Sequence, residues 1–294
     1  MLTKASALPG DHWATLEPAD ECRRSLHRKA FAVRHPLAEH PLFTVEALTA
    51  VAEEAAARKG DIYVDVGDLS LTDKWGTTPK PDMTIPEIID RIETAGAWLV
   101  MKHVEKNPAY KRVLDDFEAF IRDLAGPEGS SLLSNAEMLV FMTSPRRKTP
   151  YHFDAEVNVL VQIHGSKDLW VCDPLDRSIT TEEEIERYYA VDITAGTYKP
   201  HAERAAQKFT LHPGDAVHIP THGAHWVQNH DEVSISLSLN LELPSWMHAD
   251  VYRANHLLRR LGLTPRPPGR SVVADRSKAA AVGGLRRAKR LVKG

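Results

Sequence analysis

From Phe153 to Ile163 every odd position is apolar: Phe153, Ala155, Val157, Val159, Val161 and Ile163. The intervening set from His152 onward, Asp154, Glu156, Asn158, Leu160 and Gln162, is mostly polar. A period of two predicts one strand with an apolar and a polar face, and places His152, Asp154 and Asn158 together on the polar face. A second alternation runs through Val233, Ile235, Leu237, Leu239 and Leu241, interleaved with Ser234, Ser236, Ser238 and Asn240. Solvent faces usually carry Lys, Glu or Thr. Small hydroxyls ending in an amide fit the wall of an enclosed polar cavity, with a solvated serine-rich face as the plainer alternative. Between these segments, Pro213-Gly214-Asp215 predicts a tight turn, followed by a short apolar strand that stops at Pro220.

The N-terminal third has a different period. Thr44-Val45-Glu46-Ala47 reads as a cap and first turn of a helix running through Ala57, and Thr84 to Ile89 opens another. Asp61–Val66 and Ala97–Met101 predict short strands. Tyr110, Val113, Leu114, Phe117, Ile121 and Leu124 fall at helical spacing. They predict a helix over Ala109–Leu124, packed on the outside of the sheet and broken at Gly126-Pro127. Residues 176–208 form a polar insertion with a short helix from Thr181, read equally as a cover for substrate or a solvated connection. A helix carrying His256, Leu257, Leu258 and Leu261 is expected from Trp246 to Leu263. The division expected is an N-terminal α/β extension (1–134), a catalytic core (135–245) and a C-terminal helix with a basic tail (246–294).

Composition narrows the setting. A chain of 294 residues with 43% hydrophobic residues can bury a full core. Cys22 and Cys172 are too few for a disulfide framework, which favours a reducing, cytoplasmic compartment. No apolar run is long enough for a membrane span, and the first twenty residues lack a signal-peptide core. Charge is unevenly spread: from residue 251 onward twelve Lys/Arg face one acid, Asp275, about +11 in a chain of net −3. Such a tail suits an anionic partner, or folds back as a solvated segment on the acidic body.

The chemistry gathers around His152-Phe153-Asp154. Two imidazoles and a carboxylate on one face of a metal leave the opposite positions open, the ligand set of non-heme Fe(II) oxygenases. The third ligand is expected at His225, with His218 and His222 as competitors. His218 is expected to pack within its strand and His222 to sit in the connecting loop.

Thr149-Pro150-Tyr151-His152-Phe153-Asp154, then Asn158, Gly165, Lys167, Pro213-Gly214-Asp215, Ile219-Pro220, His225 and Asn240, resemble the JmjC/cupin-like 2-oxoglutarate oxygenases. The layout is similar to that of the asparaginyl hydroxylase acting on hypoxia-inducible factor. The resemblance covers roughly residues 138–243. It implies a mainly β fold, a double-stranded β-helix (jelly-roll or cupin) core with flanking helices. It also implies a metal held by His152, Asp154 and His225. Lys167 and Thr149 match groups that take the distal carboxylate of 2-oxoglutarate, and Asn158 and Asn240 match amides near its metal-bound end. The family often places bulky aromatics before the distal histidine. Here Gly223 and Ala224 stand there, so extra space near the metal is expected. Arg146-Arg147-Lys148 reads as a solvated basic loop, and Trp170 and Trp226 as barrel packing.

The resemblance implies an Fe(II)- and 2-oxoglutarate-dependent dioxygenase. It would be a hydroxylase coupling O2 and 2-oxoglutarate to substrate oxidation, with succinate and CO2 as coproducts. The alternatives are a non-catalytic cupin that binds ligand and a metal-cupin enzyme that does not use 2-oxoglutarate. A protein side chain or a small metabolite is a more natural substrate than RNA. The C-terminal helix is where related enzymes dimerise, so a homodimer is expected.

Overall fold

A computed structural model describes residues 12–74, 81–131, 133–242 and 246–293, without the side chains of 246–247 and 289–293. The first eleven residues, part of the stretch read as lacking a signal-peptide core, lie outside the described residues, as do the side chains of Lys289, Arg290 and Lys293 in the basic tail. The N-terminal part runs β1 (Ala14–Thr15), α1 (Ala19–Ser25), β2 (Phe31–Arg34), α2 (Val45–Ala56), β3 (Ile62–Val66), α3 (Ile85–Asp90), β4 (Ala97–Met101) and α4 (Pro108–Ser130). Four strands follow: β5 (Ser134–Thr143), β6 (Lys148–His152), β7 (Val157–His164) and β8 (Lys167–Val171). The insertion holds α5 (Glu182–Ala190) and α6 (Ala202–Ala205). The chain then continues through β9 (Gln207–Leu211), β10 (Asp215–Ile219), β11 (His225–Asn229) and β12 (Ser234–Glu242). It ends in α7 (Trp246–Arg260) and α8 (Val272–Lys293).

Two antiparallel sheets face each other. One has the order β1-β2-β10-β7-β12-β5-β4-β3 and the other β6-β11-β8-β9. The alternation in the sequence decides what each face of the larger sheet meets. Val157, Val159, Val161 and Ile163 of β7, with Ile235, Leu237, Leu239 and Leu241 of β12, point outward into the main core. There they meet α2, α3 and α4 through Leu48, Val51, Ile88, Leu114, Phe117 and Ile121. The opposite face, with Asn158, Leu160, Ser236, Ser238 and Asn240, lines a cavity between the sheets. A second cluster covers the outside of the smaller sheet and includes Tyr151, Phe153, Ile185, Trp226 and Tyr252. Leu160, Leu169, Val217, Ile219 and Val227 form a third cluster between the sheets, and three of them also line the cavity.

The helical expectations hold in physical detail. Thr44 caps α2 by accepting from Ala47 N at 3.2 Å, and Thr84 and Glu87 close a reciprocal capping box on α3. All six apolar residues expected to face the sheet from α4 are buried. The helix breaks at Gly126, whose φ of 70° only glycine adopts easily, and then resumes for a last turn to Ser130. Two parts differ from expectation. The basic tail is a second long helix, α8, packed on α7, and Arg286 pairs there with Asp250. The run from His152 to Ile163 is not one strand. β6 ends at His152, residues 153–156 turn, and β7 starts at Val157 in the other sheet. Phe153 is drawn into the cluster outside the smaller sheet, whereas Val157 enters the main core. The period of two carries through the turn although the strand does not.

Candidate metal centre

His152, Asp154 and His225 converge at this corner. Each offers one ligand atom, and the three atoms lie within 4.8 Å of one another. Asp154 Oδ2 stands 3.9 Å from His152 Nε2 and 3.7 Å from His225 Nε2. The convergence arises from register: β11 pairs with β6 so that His225 lies directly opposite His152, while the turn after β6 delivers Asp154. Each imidazole is oriented by its own chain. His152 Nδ1 bonds Pro150 O at 2.8 Å, and His225 Nδ1 bonds Gly223 O at 2.9 Å. A carbonyl can only accept, so both Nδ1 atoms carry the proton and both Nε2 lone pairs remain for a metal. Burial pushes both imidazoles down to about 4, which keeps them neutral, and pushes the Asp154 carboxyl up against the pull of His225.

The triad opens on a cavity of about 350 Å³ that also contains Thr149, Asn158, Lys167 and Asn240. Lys167 is 4% exposed and donates to Ser236 Oγ at 2.9 Å. Desolvation pushes its ammonium down to about 7. Asn158 Nδ2 donates to Asn240 Oδ1 at 2.9 Å and to Ser238 Oγ, while its own Oδ1 is buried with no hydrogen-bond partner among the described residues. A buried ammonium with spare donors is what a carboxylate-bearing ligand would satisfy, while the orphaned amide oxygen calls for a donor such as a water or hydroxyl. The donor set therefore fits a divalent metal with an acidic cosubstrate. His218 stays in β10, stacked on Phe31 at 4.5 Å, and His222 lies in the loop before β11.

Three expectations about the surroundings need correction. Arg147 is not part of a solvated loop. Its side chain is 3% exposed, lines the cavity and pairs with Asp65 from β3, 82 positions away in the chain. A run of three basic residues points to solvent, and only the distant carboxylate reverses that. Gly223 and Ala224 do not widen the cavity. A Cβ on Gly223 would come within 2.9 Å of Pro220 O, and Ala224 is buried in the cluster outside the smaller sheet. The insertion is not a solvated connection, since α5 packs against α7 and buries Ile185, and its Ile193 lines the cavity. Trp170 and Trp226 do pack as expected, stacked at 5.6 Å.

Sequence reasoning missed the cavity wall supplied by β3 and β4. Tyr63, Trp98, Val100 and Lys102 face the cavity because these strands extend the larger sheet beyond β5. The two strands were expected from the sequence, but not the sheet they join. Arg147→Met tests the buried pair. Leaving the Asp65 carboxylate without its guanidinium costs about 3–5 kcal/mol, read as a lowered urea midpoint. A midpoint equal to wild type would show that the pair adds nothing.

The described residues contain no helix long and apolar enough to cross a membrane. No curated protein matches the sequence. Solved structures similar to this chain include ycfD from Escherichia coli, with a TM-score of 0.53 and 14% identity over 92% of this chain and 68% of that one. A second is YcfD described as a ribosomal oxygenase from Escherichia coli in complex with cobalt and 2-oxoglutarate, with a TM-score of 0.50 and 14% identity over 92% and 67%. At that identity the likeness concerns the fold, two facing antiparallel sheets with flanking helices. The model of a cupin-like domain matches residues 76–242, more than half of the chain and the stretch that contains the whole candidate metal centre. The protein therefore belongs to the cupin-like domain family, in keeping with the JmjC/cupin-like resemblance of its strand motif.

Proposed function

We propose that this protein is an Fe(II)- and 2-oxoglutarate-dependent dioxygenase acting as a hydroxylase. The observation that carries the reading is one cavity holding both the His152–Asp154–His225 triad, with its two neutral imidazoles, and the buried Lys167 ammonium. Iron and 2-oxoglutarate, once bound, supply the oxidative chemistry, with O2 as oxidant and succinate and CO2 as products. The protein supplies placement and electrostatics. His152 and His225 present Nε2, and Asp154 adds the negative ligand. Lys167, aided by Ser236 and Thr149, takes the distal carboxylate, while Asn158 and Asn240 orient the metal-proximal end. Support comes also from the Escherichia coli structure described with cobalt and 2-oxoglutarate, which shares this fold.

The cavity size suits one side chain or a small metabolite next to the cosubstrate, and we take either as substrate class ahead of RNA. A homodimer through the C-terminal helices is supported by the exposed Leu257, Leu261, Val272 and Val273. The exposed Arg287 on α8 supports contact with an anionic partner. We retain the three-part division at 134/135 and 245/246 and a cytoplasmic location as part of this reading.

The test is succinate formation by purified protein with Fe(II), 2-oxoglutarate and O2, measured with and without a peptide pool or metabolite extract. Succinate that requires both iron and 2-oxoglutarate is the expected result. Binding of neither overturns the reading in favour of a ligand-binding cupin. Turnover with zinc or manganese that ignores 2-oxoglutarate favours a different metal-cupin enzyme.

A further inference from the structure

Asp154 differs from the two histidines in how it is held. His152 and His225 sit in paired strands, whereas Asp154 lies in the turn between β6 and β7, outside either ladder. Its carbonyl accepts from His222 N at 2.8 Å, and the N–H of the same peptide, contributed by Ala155, donates to Tyr188 Oη at 3.3 Å. The peptide that follows the Asp154 side chain is thus held at both its polar groups from outside the turn. His222 makes its bond from φ 60°, a left-handed conformation that is costly for any residue with a Cβ.

The His222 ring keeps it there. Its Nε2 is hydrogen-bonded to Tyr189 Oη at 2.9 Å. The ring stands edge-on to Phe153, Tyr189 and Tyr252, at interplanar angles of 88°, 86° and 89°. Tyr252 of α7 stacks on Tyr189 at 5.3 Å, and Arg253 Nε donates to Tyr189 O at 2.9 Å. Farther along, Arg259 of α7 pairs with Glu186 of α5 at 2.6 Å. A continuous set of contacts therefore runs from the C-terminal helix, through α5 and His222, to the backbone of the carboxylate ligand. The next residue of the same loop, Gly223, supplies the carbonyl that orients His225. One loop thus sets two ligands.

We propose that His222, clamped by Tyr189 and assisted by Tyr188, is a positioning residue for the metal site, and that it ties the geometry of Asp154 to the packing of α5 on α7. The inference rests on the metal reading above but goes beyond it, because it assigns the insertion and the C-terminal helix a role in ligand placement. Tyr188, Tyr189 and His222 do not ligate the metal. They act through the Asp154 turn.

The test uses the full chain and Co(II) as the probe, with affinity from titration and geometry from the visible d–d absorption. Tyr189→Phe keeps the ring but removes the bond to His222. It is expected to weaken Co(II) binding about tenfold and to shift the d–d bands, within the ~10–100-fold range typical for groups that orient metal ligands. His222→Gly relieves the left-handed backbone yet loses the ring, and should weaken binding more. His222→Asn, which tolerates that backbone region, should recover part of the loss. The metal-free unfolding midpoint of Tyr189→Phe should stay near wild type. Unchanged affinity and spectrum in both Tyr189→Phe and His222→Gly would overturn the proposal alone. So would losses in affinity matched by equal losses of metal-free stability, which would make the role merely structural. Absence of Co(II) binding by the wild type would overturn the metal reading and this inference together.

Discussion

His152→Ala and Asp154→Ala are each expected to reduce iron- and 2-oxoglutarate-dependent succinate formation to background. Removing a group that only orients a metal ligand costs about 10–100-fold in affinity or activity, so loss of a ligand itself should exceed a hundredfold. The two variants should differ in kind. His152→Ala leaves the charge of the set unchanged, while Asp154→Ala removes its negative member and leaves two neutral imidazoles. Neither side chain belongs to a hydrophobic cluster, so the metal-free proteins should unfold near the wild-type midpoint. Metal content after reconstitution, measured beside succinate formation, separates the possibilities. Turnover retained in either variant would remove the triad from the mechanism.

Lys167→Met should weaken 2-oxoglutarate binding by about 10²–10⁴-fold, because stranding one partner of a buried charge pair costs about 3–5 kcal/mol. Methionine keeps the length and fills the space left by the ammonium. Stability of the ligand-free protein should therefore hold or rise, since a buried cation without a bound carboxylate is a desolvation cost. The pH dependence has a definite sign. Burial lowers the ammonium to about 7 in the open cavity, and a carboxylate binds only its protonated form. Affinity for 2-oxoglutarate should then be constant below about 7 and fall by up to about tenfold per pH unit above it. Binding at pH 8 should take up a proton, visible in calorimetry as a dependence on buffer ionisation enthalpy. Lys167→Met should lose both effects. Affinity that rises with pH, or a Lys167→Met variant that binds as wild type does, would remove this residue from the cosubstrate site.

Much of the site was readable because β structure writes its faces at a period of two. The alternation in β12 separated Leu237 and Leu239, which pack against the helices, from Ser236 and Ser238, which line the cavity. The family resemblance of the motif named Thr149, Asn158, Lys167 and Asn240, and all four line the cavity on which the triad opens. The six apolar residues of α4 are buried as their helical spacing required. The failures share a physical cause. Arg147 carries no local mark of burial, because the group that neutralises it, Asp65, comes from a strand paired far away in sequence. Likewise the turn at residues 153–156 left the apolar alternation intact, since Phe153 and Val157 are both buried, but in cores on opposite sides of the molecule.

The sequence by itself marked His152, Asp154 and His225 as candidate ligands and which way the strand faces point, because residue type and a two-residue period are local properties. Whether those residues meet is not local. The tertiary structure decided that His225 lies opposite His152 through the β6–β11 register, and that Asp154 reaches them from a turn rather than from a strand. It also decided that the segment between the ligand motifs packs against α7 as a brace while its Ile193 reaches the cavity. These outcomes depend on pairing between positions tens of residues apart. Their free energy is gained only when two sheets and the helices outside them close on one another, and no window along the chain contains that information.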